Sequence, residues 1–414
     1  MSAVPPPARP SADQAHIAVF NVPQHGHVYP TLGLVAELVR RGHRVSYATT
    51  AAFAEAVRAV GAVPIICRGT VSDLVEAPEA LSEGAALAVE DMTATLPQLS
   101  EAFGRDRPDL VLYDVYAWAG PALAAGWGVP SVLLSPSHLP YEGLARDMFG
   151  VEDLAQTPTY PRLASVLAEY GVRESLDELL NAPHRAVAFL PRAFQRKAHT
   201  VAVKDCVWAG PVLGGRSFQG RWAGPDDDRP VLLVSLGSQF TRRPGFFRTC
   251  LDAFGGTPWH VVMAVGSRVG PAELGGLPPN VEVHAHAPQL AVLSQASAFV
   301  THGGMGSVME ALSFGVPLVA VPQMAEQRVN AEQIQALSLG CHLPREQVTP
   351  ETLLASVASV AQDARVAEGV AAMRREIGLA GGAATAGDAV ERALTDRGAA
   401  PLGPASPVDR AAAR

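Results

Sequence analysis

The chain has 414 residues, 48% of them hydrophobic and 17% charged, with a formal net charge of −8 at pH 7. That length points to two or three domains, each able to bury a core. An acidic balance with no basic block argues against a nucleic-acid partner. No apolar run reaches the ~18 residues of a membrane span, and the opening MSAVPPPARPSADQAH lacks the apolar stretch of a secretory signal. Cys67, Cys206, Cys250 and Cys341 lie far apart without a CxxC spacing, so neither a disulfide framework nor a zinc site is expected. The expected setting is cytoplasmic, with no membrane partner.

The Pro/Ala/Ser-rich ends, 1–14 and 399–414, are expected to be disordered. Between them, short β-branched runs alternate with longer helical stretches. In the first half the pattern predicts strands at His16–Asn21, Arg44–Ala48, Val63–Cys67, Leu110–Tyr113, Ser131–Leu134 and Val187–Leu190. Helices are predicted at Thr31–Arg41, Ala51–Val60, Ala85–Phe103 and Trp118–Trp127. A Gly-, Pro- and charge-rich stretch, 212–230, reads as a linker. Beyond it, strands are predicted at Val231–Leu236, His260–Ala264, Val281–His284, Ala298–Thr301 and Leu318–Val321. Helices fit Gly245–Ala253, Leu290–Ser294, Ser307–Ser313, Asn330–Leu337 and Pro350–Ala361. This alternation implies parallel sheets covered on both faces. The expectation is two facing, Rossmann-like doubly wound α/β domains, 15–211 and 231–398, binding ligands between the carboxyl ends of their strands. The last helical segment is expected to return and brace the first domain.

Chemistry concentrates at predicted strand ends. After the first strand comes Asn21-Val22-Pro23-Gln24-His25-Gly26-His27, where an imidazole is suited to proton abstraction because its ordinary pKa lies near working pH. Either histidine could do this, or both could simply cap the loop. Asp114 ends the run Leu110–Tyr113 and could orient such an imidazole or cap the segment after it. His302-Gly303-Gly304-Met305-Gly306-Ser307 joins a strand to a helix whose N-terminus, with its free N–H groups, suits a phosphate; Glu310 lies one turn in, able to accept from a sugar hydroxyl. Ser238 closes another strand with hydroxyl and backbone donors, and Glu326 with Gln327 offers groups suited to sugar hydroxyls. His284 and His286 have no third ligand beside them, so no metal site is expected. Ser137, His138, Tyr141, Met148 and Phe149 form an irregular, partly apolar stretch that suits either a bulky hydrophobic acceptor or ordinary helix packing.

Across nearly the whole chain, about 16–398, the sequence resembles the GT-B nucleotide-sugar glycosyltransferases, specifically the bacterial macrolide glycosyltransferases. The segments FNVPQHGHVYPTLGLVAELVRRGHRVSYAT (20–49), RPDLVLYDVYAW (107–118), RPVLLVSLGSQF (229–240), NVEVHAHAPQLAVL (280–293) and THGGMGSVMEALSFGVPLVAVPQMAEQRVNAE (301–332) carry the resemblance. It implies an inverting, metal-independent transfer of a hexose, usually glucose from UDP-glucose, to an acceptor hydroxyl, with no cofactor. Its partners would be a nucleotide sugar and a small-molecule acceptor, with a homodimer left open. By position, the resemblance makes His25 the general base and Asp114 its partner. His302, Gly304, Gly306, Ser307 and Glu310 become diphosphate and ribose contacts, and Glu326 and Gln327 hexose contacts; Ser238 and Gln289 are grouped with the donor site. Relatives commonly carry Trp, stacked on uracil, where this chain has His286, which leaves UDP and dTDP both open. A UDP-sugar epimerase and a non-catalytic binding protein that sequesters its ligand are the alternatives. A nicotinamide oxidoreductase is disfavoured because no GxGxxG follows the first strand.

Overall fold

A computed structural model describes residues 14–69, 81–153, 157–172 and 175–396. The expected disordered ends, 1–14 and 399–414, lie outside the described residues apart from Gln14. The first half contains β1 (His16–Phe20), α1 (His25–Arg40), β2 (Arg44–Thr49), α2 (Ala54–Ala59), β3 (Val63–Ile66), α3 (Leu81–Phe103), β4 (Leu110–Asp114), α4 (Ala119–Trp127), β5 (Ser131–Ser135), α5 (Leu144–Phe149), α6 (Thr159–Glu169), α7 (Leu176–Asn181), β6 (Arg185–Ala188) and β7 (Asp205–Trp208). The second half contains β8 (Val231–Ser235), α8 (Pro244–Phe254), β9 (His260–Ala264), α9 (Pro271–Leu274), β10 (Val281–His284), α10 (Gln289–Leu293), β11 (Ala296–Thr301), α11 (Met305–Phe314), β12 (Leu318–Ala320), α12 (Ala325–Ala336) and β13 (Gly340–His342). Helices α13 (Pro350–Gln362), α14 (Ala364–Ala380) and α15 (Gly382–Thr395) follow.

Two parallel sheets result, in the orders β3-β2-β1-β4-β5-β6-β7 and β10-β9-β8-β11-β12-β13. The strands read as near-continuous apolar runs because helices cover both faces; β1, β4 and β8 are buried at every residue. In each sheet the order reverses next to the first strand, between β1 and β4 and between β8 and β11. The crevices at those reversals are where open α/β sheets hold ligands.

Several boundaries differ from the sequence reading. Helix α1 begins at His25 rather than near Thr31, and it carries Pro30 inside it. A proline there removes only the N–H that would have gone to the Gly26 carbonyl, so the turn survives. Helix α12 likewise begins at Ala325 rather than Asn330, with Glu326 in its first turn, where a carboxylate complements the helix dipole. Strands β7 and β13 were not expected: they are short edge strands, DCVW and GCH, with little β-branched content. Between β7 and β8, residues 212–230 contain a single short turn of 3₁₀ helix at Ser217–Gln219.

Helix α15 packs on the first sheet's side: Ala386, Val390 and Ala393 share a buried cluster with Ile17, Val35 and Leu38. Arg41, at the end of α1, fastens it there. Its guanidinium reaches Asp388 (2.7 Å), Glu391 (2.7 Å) and the Ala384 carbonyl (2.9 Å), while its Nε holds Glu37 (2.8 Å). Replacing Arg41 with Met should lower stability by about 1–2 kcal/mol, since charge-assisted bonds of this kind are half-exposed. A fall in the denaturant midpoint would report it, and an unchanged midpoint would leave the fastening to the apolar contacts alone.

Candidate active site

The first turn of α1 carries an imidazole paired with a buried carboxylate. The carboxamide of Asn21, just past β1, donates from Nδ2 to the His27 carbonyl (3.0 Å), the Thr31 hydroxyl (3.4 Å) and the Tyr47 hydroxyl (2.8 Å). So held, His27 places Nδ1 2.8 Å from Oδ2 of Asp114, at the carboxyl end of β4. Asp114 is only 1% exposed, and its Oδ1 accepts the Tyr116 backbone N–H (3.1 Å). Burial by itself would lower the pKa of His27. The charge and hydrogen bond of Asp114, with the charge of Glu326, outweigh it and hold the imidazole above its ordinary value.

The pairing inferred from sequence is therefore corrected: Asp114 meets His27, not His25. Two residues apart on a helix, the two side chains diverge by about 200°, and one of them alone can reach β4. His25 is exposed and packs edge-on to Tyr29 (5.1 Å) and Phe53 (5.0 Å). Among the described residues no carboxylate lies within ion-pair distance of it. The sequence signal for the right choice was the helix start: with Gln24 as N-cap, His27 falls in the first turn facing the sheet.

Across the cleft, the glycine loop after β11 opens α11. Gly304 is the N-cap and Gly303 adopts φ +81°, so the N–H groups of Met305, Gly306 and Ser307 precede the first intrahelical bond, from Val308 N–H to the Gly304 carbonyl. The buried side chain of Asn330 pins this loop by donating to the Gly303 carbonyl (2.8 Å). His302 sits between two glycines. A Cβ on Gly237 would lie 2.6 Å from its Cε1, and one on Gly304 would collide with its Nε2. Burial pushes the His302 pKa down to about 4, so the ring is a neutral hydrogen-bonding group at neutral pH.

Further along α11, Glu310 is buried and uses both oxygens. Oε1 is paired with Arg216, and Oε2 accepts from Gln289 Nε2 (2.5 Å), which also reaches Ser307 Oγ (3.2 Å). Gln289, Ser307 and Glu310 thus form one hydrogen-bonded group. Arg216 was missed because it lies in the stretch read as a linker, yet it is 7% exposed and its guanidinium carbon stands 5.6 Å over the Tyr29 ring of α1.

Glu326 spans the cleft: its Oε1 accepts from Ser137 Oγ (2.7 Å). Gln327 is buried, with Oε1 accepting the Gln323 backbone N–H (2.8 Å). Ser238 is exposed on a separate cleft of about 600 Å³ that it shares with His25, Tyr29 and Phe218. His286 is exposed as well.

Packing claims most of the stretch read as an acceptor wall. His138 stacks on Phe194 (5.8 Å, 3°), the buried Tyr141 bonds Asp147 (2.9 Å), and Met148 is buried. A small cavity at the ends of β1, β2 and β4 is lined by Phe20, Asn21, Thr49, Asp91, Tyr116 and Trp118 among others, and includes none of Ser137, His138, Tyr141, Met148 or Phe149.

The comparisons with known proteins agree with this architecture. A family profile for the erythromycin biosynthesis protein CIII-like C-terminal domain matches residues 248–382. The oleandomycin glycosyltransferase of Streptomyces antibioticus is 38% identical over 396 residues, 92% of each chain. An NDP-glycosyltransferase of Bacillus licheniformis is 36% identical over 92% of this chain and 98% of its own. The solved glycosyltransferase of kitacinnamycin superposes with a TM-score of 0.83 at 41% identity, covering 92% of this chain and 99% of that one. Two facing parallel-sheet domains with this cleft define a GT-B glycosyltransferase. Within that class, the chain belongs to the bacterial macrolide glycosyltransferase family.

The glycine loop yields opposed expectations for two substitutions. Gly304→Ala drives a methyl into the His302 ring and should destabilise the fold by about 1–3 kcal/mol. A Cβ on Gly306 meets nothing within 4 Å. Gly306→Ala should therefore leave stability unchanged or slightly raised, while placing a methyl where a phosphate would approach the free N–H groups. Thermal melts with calorimetric binding of UDP and dTDP would separate them; unaltered nucleotide binding in both variants would remove the loop from the donor site.

Proposed function

We propose that the protein transfers a hexose, glucose first among the candidates, from a UDP- or dTDP-linked donor to a hydroxyl of a hydrophobic natural product such as a macrolide. The transfer inverts the anomeric centre and gives a β-glycoside. One observation carries this reading: His27 of the first domain, tied to the buried Asp114 at 2.8 Å, also feels the charge of Glu326 from the second domain, so the paired imidazole stands at the cleft between them. The names of the relatives support the acceptor class, since one acts on oleandomycin.

In the proposed reaction Nδ1 of His27 is held by Asp114, which leaves Nε2 as the base. It removes the acceptor's proton as the oxygen attacks, and Asp114 offsets the charge that develops on the imidazole. The departing diphosphate gains charge at the same moment, next to the free N–H groups of α11 and the neutral His302. Glu310 and Gln289 suit the ribose, Glu326 and Gln327 the hexose, and the exposed His286 the base. These donors would serve in place of a divalent cation.

Incubating the enzyme with UDP-glucose or dTDP-glucose and oleandomycin, with products read by mass spectrometry and the anomeric coupling by NMR, tests the reading directly. His27→Ala should lower kcat on the order of 10²–10⁴-fold, whereas His25→Ala should keep kcat within about threefold of wild type, because His25 lacks the orienting carboxylate. The reverse result would restore His25 as the base.

The pH profile follows from the raised pKa of His27. The base works when neutral, so kcat/KM should fall as pH drops through a value above the ordinary 6.5 of histidine. Asp114→Asn removes what raises that pKa and leaves the lowering effect of burial, so the acid limb should move to lower pH while kcat falls. A limb that does not move would detach Asp114 from the titrating group.

EDTA should leave turnover within a factor of about two. Activity abolished by chelation and restored by Mg²⁺ or Mn²⁺ would reassign the leaving-group site.

A further inference from the structure

The stretch between the two domains is seated on the first and reaches into the second. Val212 is buried in the same apolar cluster as Leu32 and Val35 of α1. Gly33 lets it come that close: a Cβ there would collide with the Val212 side chain and lie 3.1 Å from the Gly214 carbonyl oxygen. Gly215 then turns at φ +77°, where a Cβ would stand 3.0 Å from Val60 and 3.3 Å from the Leu32 carbonyl oxygen. From that footing on α1, Arg216 extends its side chain to the Glu310 carboxylate of α11 in the other domain. The two side chains are 3% and 8% exposed, so water does little to serve either charge.

A buried ion pair is a poor stabiliser, since well-packed apolar side chains of similar volume often do as well. What this pair does is hold a carboxylate still. Arg216 engages Oε1 of Glu310 and Gln289 Nε2 engages Oε2 (2.5 Å), so the group cannot turn without losing a partner. Its two oxygens therefore lie side by side in a fixed plane, an arrangement that suits two hydroxyls on neighbouring carbons. Gln289 also reaches Ser307 Oγ (3.2 Å), which ties the carboxylate to the opening turn of α11 and its free N–H groups. Nε of Arg216 is buried without a partner among the described residues, and so is Oε1 of Gln219, whose backbone N–H bonds the Arg216 carbonyl (3.0 Å). Buried polar atoms are nearly always paired, so an idle donor and acceptor on one turn of this stretch mark a place that water or a ligand completes.

We propose that Arg216 is a positioning residue for the sugar donor: it fixes the Glu310 carboxylate so that both oxygens meet the vicinal hydroxyls of a ribonucleotide, and the site thereby selects UDP-linked over 2′-deoxynucleotide-linked donors. The inference rests on the reading that Glu310 meets the ribose, and it adds the residue that aims it. A 2′-deoxyribose offers one hydroxyl fewer and leaves one of the aligned oxygens unmatched. Arginine suits this task better than lysine, because a planar guanidinium holds a carboxylate in one orientation whereas an ammonium is a point charge. Since Arg216 stands on α1, the helix that carries His27, the aim of Glu310 also depends on the two domains keeping their places across the cleft.

Calorimetric binding of UDP and 2′-deoxy-UDP, which share base and diphosphate and differ by one hydroxyl, tests this. The wild type should bind UDP about tenfold more tightly, the size of a hydrogen bond to a charged partner. Arg216→Met should weaken UDP about tenfold and 2′-deoxy-UDP no more than about threefold, narrowing the ratio between them. Arg216→Lys, which keeps the charge without the planar fork, should fall between the two. Glu310→Gln should abolish the preference. If Arg216 acts through Glu310, the double variant Arg216→Met/Glu310→Gln should bind UDP within about twofold of Glu310→Gln alone; with both charges gone, it also serves if Arg216→Met does not fold. A further large loss in the double variant would overturn the proposal. So would a lowered melting temperature in Arg216→Met with the wild-type ratio kept, which would leave Arg216 a structural bridge and the ribose reading of Glu310 standing. A ratio unchanged in Glu310→Gln would remove Glu310 from the ribose, and that reading would fall together with the proposal.

Discussion

A carboxylate buried as completely as Asp114 is costly unless a cation or several donors meet it, and its partner here is the imidazole of His27. That single bond joins the first turn of α1, which leaves the end of β1, to the end of β4, the strand beside β1 in the sheet but far from it in sequence. It engages Nδ1, raises the pKa of the ring and fixes its orientation. Asn21 supports it from behind by holding the backbone carbonyl of His27. The charge of Glu326, from the second domain, acts on the same imidazole and adds to the effect of Asp114.

The two domains are also tied to each other through the groups that would handle the sugar donor. Glu326 is bonded to Ser137 of the first domain, and Glu310 is paired with Arg216, whose guanidinium covers Tyr29 of α1. Beyond them, Arg196 and Glu332 form a further bridge across the cleft at 3.2 Å. Breaking a buried ion pair by removing one partner typically costs about 3–5 kcal/mol, so Arg216 is more than a passing occupant of the connecting stretch. A nucleotide sugar that bonds Glu310 and Glu326 enters a network already satisfied by protein. Its hydroxyls must match those bonds in geometry to replace them.

Much of this was legible in the sequence, because the strands are long apolar runs and the glycine loop has its donors at fixed offsets. The order of the two halves and the site of α11 follow from local pattern, whereas Gln289 was placed beside Ser307 and Glu310 only by the family resemblance. What escaped was set by three-dimensional context. The choice between His25 and His27 depended on a helix beginning before Gly26 and Pro30, two residues that locally read as loop. Arg216 is surrounded by glycine, proline and charge, and nothing in its neighbours foretells burial. The residues from Ser137 to Phe149 have the composition of a binding wall, but His138, Tyr141 and Met148 are consumed by packing, whereas Thr49 and Trp118 reach the cavity from a strand and a helix entry that looked purely structural.

The return of α15 to the first domain has a bearing on how such enzymes can be recombined. The chain crosses between the sheets twice, once through 212–230 and again before Gly382, and the buried faces of α15 and α1 are matched to each other through Ala386, Val390 and Arg41. A chimera that exchanges second domains at the connecting stretch alone would import a foreign terminal helix onto the native first domain. A compatible splice takes residues 231–381 from one parent and keeps 382–395 with the other, so the exchangeable module is an insertion within the first domain rather than the C-terminal half of the chain.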